Sequence, residues 1–178
     1  MSKKVLIVAG SPRKAGNSRM LCDEFMKGAV EAQHNVELVS LAEKEVRPCT
    51  GCYACRSKGK CAQQDDMKPI LASMISADVI VMATPVYFYT MCAQMKALID
   101  RCVARYTEIS GKEFYFIVTA ADGSRSNMTR TLEGFRGFTS CLRGAKEKGV
   151  IYGVGAWEIG DIKTSRVMQD AYEMGKKL

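Results

Sequence analysis

At 178 residues and 47% hydrophobic content the chain is long enough for one domain with a full core, and a second domain is not expected. Its formal charge of +7 arises from 26 Lys and Arg scattered among 19 Asp and Glu, with no basic stripe interleaved with aromatics, which argues against nucleic-acid binding. The one histidine, His34, lies in a polar Gln-His-Asn turn, so Ser-His hydrolysis and His-ligated zinc are poor readings and a cofactor is expected to carry the chemistry.

No basic segment followed by an apolar run and a small-residue cleavage site opens the chain, and its longest apolar region, 77–93, is interrupted by Pro85. The expectation is a cytoplasmic protein without a membrane span. Its eight cysteines are then thiols or metal ligands rather than disulfides.

The first element is an apolar run at 5–9, with the length and β-branched content of a strand buried on both faces. Gly10 ends it, residues 11–18 form a polar loop, and residues 19–30 read as a helix. A turn of this kind presents a helix N-terminus and its free N–H groups to an anion. Ser11, Asn17 and Ser18 offer neutral hydrogen bonds and Arg13 a charge-assisted one, so the loop reads as a cradle for a phosphate monoester. It lacks the Gly-Lys-Ser/Thr ending of nucleotide hydrolases and the three-glycine dinucleotide fingerprint. The alternative is an ordinary strand-to-helix turn with Asn17 or Ser18 as N-cap.

Residues 35–40 alternate as an edge strand, and a loop with Pro48 and a run of cysteines leads to a helix at 66–76. Asp65 and Asp66 stand at its start, where the helix dipole favours acids. A second apolar strand, 79–83, ends in Thr84-Pro-Val-Tyr-Phe-Tyr89 at the carboxyl edge. Met91, Met95, Leu98 and Cys102 fall at helical spacing, giving an amphipathic helix at 90–106 with Lys96 and Asp100 paired on another face. A strand at 113–119, a helix at 129–146, a strand at 150–154 and a helix at 162–176 complete the chain.

Five strands alternating with five helices imply an α/β fold: a flavodoxin-like, doubly wound five-stranded parallel sheet in the order 2-1-3-4-5, with helices on both faces. In that order the ligand crevice opens between the carboxyl ends of strands one and three, so the cradle and the Pro85 loop would face one another. A phosphate cradle opposed by aromatics suits FMN. Backbone N–H groups of Val86 to Phe88 would meet the polar edge of the ring, and Tyr87 or Phe88 would cover part of its face. The alternative for these aromatics is core packing at a strand end.

The Gly10-Ser-Pro-Arg-Lys-Ala-Gly-Asn-Ser18 loop, Thr84-Pro-Val-Tyr-Phe-Tyr89 and Lys96-Ala-Leu-Ile-Asp-Arg101 resemble the NAD(P)H-dependent FMN reductases of the flavodoxin-like superfamily. The resemblance extends over nearly the whole chain, through Asp65-Asp66-Met67 to Gly155-Ala-Trp157 and Gly160-Asp-Ile162. It implies FMN held by Ser11, Arg13, Asn17 and Ser18 at the phosphate and by Pro85, Val86, Tyr87 and Phe88 at the ring. Ala120, Asp122 and Gly123 would touch the ring's other side. No catalytic side chain is implied: NAD(P)H delivers hydride to the flavin N5, and electrons pass on to a quinone, a flavin, a nitro or azo compound, or an electron carrier. Members are commonly homodimers or homotetramers in which a neighbour helps cover the flavin.

Cys49, Cys52, Cys55 and Cys61 are spaced C-x2-C-x2-C-x5-C, compact enough to hold a [4Fe-4S] cluster, whereas zinc more often uses two separated C-x2-C pairs. The spacing is similar to that of the iron-sulfur flavoproteins of the same superfamily, which implies a ferredoxin-like electron donor. The other reading leaves the four as thiols without a cluster. Arg56, Lys58 and Lys60 either guide an acidic electron carrier or are solvated loop charges. Cys22, Cys92, Cys102 and Cys141 are assigned to packing.

Overall fold

The computed structural model describes residues 1–178. In chain order it has β1 (Lys4–Ala9), α1 (Asn17–Glu31), β2 (Asn35–Ser40), α2 (Ala54–Lys58), α3 (Met67–Ser76), β3 (Val79–Tyr87), β4 (Thr90–Met91), α4 (Ala93–Arg101), β5 (Glu113–Thr119), α5 (Thr129–Ser140), β6 (Lys146–Gly153) and α6 (Val167–Lys176). Five strands run parallel in the order β2-β1-β3-β5-β6, which is the expected 2-1-3-4-5 arrangement. The two-residue β4 makes a sixth strand, absent from the sequence reading, and pairs antiparallel with the end of β3.

The apolar run of β1 is buried on both faces, and its period of two sorts the core. Leu6 and Val8 pack with Met67, Leu71, Met95, Leu98 and Phe135 in one layer, under α3, α4 and α5. Val5, Ile7 and Ala9 pack with Leu21, Phe25 and Ala171 in the other, under α1 and α6. Each such Val, Leu or Ile contributes about 1.5–3 kcal/mol by leaving water. Gly28 and Gly175 let α1 and α6 lie close. A Cβ on Gly28 would collide with the carbonyl oxygen of Tyr172, and one on Gly175 with that of Phe25. No helix is long and apolar enough to cross a membrane.

Several boundaries differ from the sequence reading. The strand expected to end at 83 continues to Tyr87, because Val86 and Tyr87 pair with Met91 and Thr90. Those two residues therefore belong to a hairpin rather than to a helix, and α4 begins only at Ala93. The helix expected to reach 146 stops at Ser140. Lys146 to Lys148 instead open β6, whose edge position leaves their charges in water. α1 begins at Asn17 with Gly16 as its N-cap, which removes the reading of Asn17 or Ser18 as the cap. A 3-10 turn, Asp161–Thr164, occupies the start of the last expected helix. A short helix, α2, lies within the cysteine loop, where none was expected.

Candidate functional site

At the carboxyl end of the sheet β1 stops at Ala9, and the Gly10 N–H donates to the Ala83 carbonyl at 2.8 Å, so the polar loop starts from a fixed point. Ser11 Oγ accepts the Arg13 N–H at 3.1 Å, turning the loop back toward α1. Gly16 is extended, and no side chain caps the helix. The first N–H groups of α1 are thus free of side-chain partners at the cleft.

Asn17 is used differently from the expectation. Its Nδ2 donates to the Glu158 carbonyl at 2.8 Å while its Oδ1 accepts from Gly160 N at 2.9 Å, so the side chain holds the loop after β6. Ser18 Oγ is buried and has no hydrogen-bond partner in the chain. Arg13 is exposed, and its guanidinium makes one bond, to the Trp157 carbonyl at 3.2 Å.

The opposite wall is the β3–β4 hairpin. Phe88 and Tyr89 have φ of 48° and 65°, the left-handed pair that a tight hairpin turn of the primed type requires. Phe88 is fully exposed at its tip. Behind it Thr84 Oγ1 accepts the Cys92 N–H at 3.0 Å, and Cys92 Sγ donates to the Gly10 carbonyl at 3.1 Å, tying this wall to the cradle. The third wall follows β5 and β6. There Ala156 N donates to Ala120 O at 2.8 Å, and Asp161 accepts from the Trp157 and Glu158 N–H groups at 2.9 and 2.7 Å.

These walls enclose one cleft of about 410 Å³. Ser11, Arg13, Asn17, Ser18, Pro85, Val86, Tyr87, Phe88 and Ala120 all line it. Asp122 and Gly123 do not. They lie on the exposed loop beyond Ala121, where the Asp122 carbonyl accepts the Gly155 N–H at 3.0 Å. Ala121, within the loop 120–123 expected at the ring, lines the cleft too, as do Gly16, Thr119, Ala156 and Trp157, which were given no site role from the sequence. A signal existed for Trp157, the single Trp, placed in a loop that the alternation sends to the carboxyl edge.

A phosphate with a flat ring fits this cleft on its own features. The buried Ser18 hydroxyl lacks an acceptor or donor partner beside an uncapped helix N-terminus. A Cβ on Gly16 would come within 2.9 Å of Ser11 Oγ and 3.2 Å of the Arg13 carbonyl oxygen, so a side chain there would crowd the turn of the cradle. The far end is aromatic.

The chain matches the model of the NADPH-dependent FMN reductase family over residues 3–153. It belongs to that family. Among curated proteins it is 44% identical over 98 residues to an iron-sulfur flavoprotein of Methanocaldococcus jannaschii, covering 55% of this chain and 51% of the relative. It is 39% identical over 98 residues to an iron-sulfur flavoprotein of Archaeoglobus fulgidus, covering 55% and 44%. The matched segment thus spans about half the length of these relatives. Among solved structures it resembles an azoreductase from Bacillus anthracis with a TM-score of 0.75 at 18% identity over 100% of both chains. An NAD(P)H:quinone oxidoreductase from Methanothermobacter marburgensis gives 0.69 at 16% identity over 99% and 96%. At such identities these two show the fold, which is the flavodoxin-like one expected of an FMN reductase.

This FMN reductase family chain carries a second group of candidate side chains. Cys49, Cys52, Cys55 and Cys61 are free thiols, none of them buried, and all four line one narrow void of about 20 Å³ beneath the loop. No three of them converge on a common point. Four unpaired thiols nevertheless match an iron-sulfur cluster in donor kind and number. The Cys52 thiol is held below its ordinary pKa, first by the N–H of Ala54 and then by the Thr50 hydroxyl. Of the cysteines assigned to packing, Cys22, Cys92 and Cys102 are buried, and burial pushes the Cys102 thiol up to about 12. Cys141 departs from that assignment: it is exposed at the end of α5.

One pair went unseen in the sequence. Asp65, expected at a helix start, accepts two bonds from Arg101 at 2.6 and 2.9 Å, and both side chains are shut from water. The signal was the helix face: Arg101 follows Leu98 by three residues and so falls on the buried stripe of α4.

Proposed function

We propose that the chain is an FMN-dependent oxidoreductase that takes hydride from NAD(P)H and passes electrons to a small-molecule acceptor such as a quinone, a free flavin or a nitro or azo compound. The observation that carries this reading is the cleft itself, with an uncapped helix N-terminus and the unpartnered Ser18 hydroxyl at one end and an aromatic hairpin at the other. When bound, FMN supplies a ring whose N5 accepts hydride and whose reduced form releases electrons. The chain's own part is to bind and orient. Ser11, Arg13, Ser18 and the first N–H groups of α1 hold the phosphate, and Arg13 adds the one flexible positive charge. The backbone from Pro85 to Phe88 fixes the polar edge of the ring, and Tyr87 and Ala120 flank it. Asn17 and Asp122 act at one remove, the Asn17 side chain and the Asp122 carbonyl holding the loop that carries Trp157.

Tyr87, Phe88, Tyr89 and Trp157 are exposed around the mouth, which supports a homodimer or homotetramer closing over it. Mixing FMN-loaded protein with NADH or NADPH without oxygen should bleach the flavin band. Persistence of the band with both cofactors would falsify the reductase reading.

A second reading is favoured by the four free thiols around one void: an iron-sulfur flavoprotein whose Cys49, Cys52, Cys55 and Cys61 hold a [4Fe-4S] cluster that takes electrons from a ferredoxin-like protein. The iron-sulfur flavoproteins among its relatives support it. Anaerobic preparation should then give a brown protein with about four irons per chain. A yellow protein free of iron points back to the simple reductase. Both readings place the protein in the cytoplasm, away from membranes and nucleic acid.

A further inference from the structure

The cysteine loop is closed at its base by bonds between its two ends. Glu45 N donates to Asp66 Oδ2 at 2.8 Å, Asp66 N to the Glu45 carbonyl at 3.0 Å, and Gln63 Nε2 to the Pro48 carbonyl at 3.0 Å. Arg101 of α4 reaches under this base and binds both ends. Its Nη1 donates to the Arg47 carbonyl at 2.7 Å and to Asp65 Oδ2 at 2.6 Å, and its Nη2 to Asp65 Oδ1 at 2.9 Å. Arg47 precedes Cys49 by two residues and Asp65 follows Cys61 by four, so one guanidinium spans all four thiols.

These bonds use the end of the guanidinium and leave one of its long edges. Nε has no partner although Arg101 is 99% buried, its exposure being 1%. Arginine presents its donors in a fixed fork, so the Nε–H and the second Nη2–H point the same way and together want an acceptor with more than one lone pair. Arg101 shares the walls of two voids with Cys61, and the Cys61 sulfur is near enough to favour the charged guanidinium, after the Asp65 carboxylate. A neutral thiol is a poor acceptor. A metal-bound thiolate carries the negative charge that this edge lacks a partner for.

We infer that Arg101 is a positioning residue for an iron-sulfur cluster: its end-on contacts clamp the two ends of the cysteine loop, and its free Nε edge donates to sulfur at Cys61. This rests on the cluster reading above and deepens it. Asp65 balances the Arg101 charge, so the lever is the donated N–H: a hydrogen bond to a cluster sulfur stabilises the form that holds one more electron and raises the reduction potential. The flavin cleft shares no lining residue with either void, which makes the flavin an internal control.

The test compares wild type with Arg101→Lys and Arg101→Gln after anaerobic reconstitution with iron and sulfide, by iron content and by dithionite titration of both centres. Arg101→Lys keeps a charge against Asp65 and secures the fold, yet lacks the fork. Asp65→Asn combined with Arg101→Gln removes the pair together, so that no lone buried carboxylate remains. The inference expects full FMN content and an unmoved flavin potential throughout. It expects the cluster potential to fall at least tenfold in reduction equilibrium, about 59 mV for one electron, in the Gln forms, with Lys in between. Loaded variants that keep the wild-type cluster potential overturn it. Wild type that takes up no iron overturns the cluster reading and this inference together.

Discussion

The cleft proposed for the flavin and the cysteine loop are built in opposite ways on one chain. The cleft continues the core: residues 5–11 are buried without a break before the cradle turns, and the hairpin opposite is the tail of a central strand. Between residues 42 and 66, by contrast, no hydrophobic side chain is buried although the Asp65 carboxylate is, and α2 contributes nothing to either core layer. A planar organic ligand gains from walls set in advance. A cluster supplies its own cross-links, so a loop that ligates one is free to stay open to water and depend on the metal for order.

Removing a ligand thiol should separate the two regions most sharply. Cys55→Ser is expected to lower iron from about four per chain to a small fraction of that while FMN content stays unchanged. Stripping the iron with a chelator should raise tryptic cleavage after Arg56, Lys58 and Lys60 at least tenfold and leave the cleft's flavin bound. Iron and flavin lost in parallel would mean that the loop is a part of the cleft after all.

The reverse separation comes from the cradle. Arg13→Ala removes a charge-assisted contact of about 1.5–3 kcal/mol, so FMN affinity should fall about 10- to 100-fold in a fluorescence titration. Ser18→Ala should cost about tenfold, because the buried hydroxyl has only the ligand to bond. Neither change should alter iron content.

Acid should act on the loop's base. The Asp65 carboxyl sits at about 2, against an ordinary value of 3.8, first because Arg101 donates to it and then, against the opposing effect of burial, because the Arg47 and Met67 N–H groups do. A group depressed on folding contributes stability above its unfolded value and loses it as pH falls through the folded one. That amounts to about 2 kcal/mol, present above roughly pH 4 and lost by about pH 2. The urea stability of wild type minus that of Asp65→Asn should therefore shrink by this amount between pH 6 and pH 2.

Sequence patterns reached the two regions unequally. Strands 35–40 and 113–119 stand at the expected residues, because their side-chain alternation or continuous burial is set by the sheet. The place of the polar loop was legible for the same reason, lying between a buried run and a helix. The Phe88-Tyr89 turn was not, since left-handed turns are signalled by Gly or Asn and here two aromatics adopt the conformation. Lys146 to Lys148 gave no strand signal because an edge strand keeps its charges in water. The helix face marks Arg101 as buried, but its partner Asp65 lies 36 positions away, and no local pattern names it.

The smallest expected effect tests the one strained place in the cleft. Phe88 is fully exposed with φ of 48°, a conformation that costs a side-chain-bearing residue about 1–2 kcal/mol, and no burial offsets it. Phe88→Gly removes that cost and adds about 0.5–1 kcal/mol of freedom to the unfolded chain, leaving a net gain under about 1 kcal/mol. Melting temperature should rise by about 2–4 °C at most. If the exposed ring serves the second substrate rather than the fold, FMN affinity should hold within about twofold while KM for NAD(P)H or for the acceptor rises by a stacking contact of about 0.5–1.5 kcal/mol. A fall in melting temperature with unchanged KM would make the hairpin tip a packing element and would leave the aromatic wall of the cleft to Tyr87 and Trp157 alone.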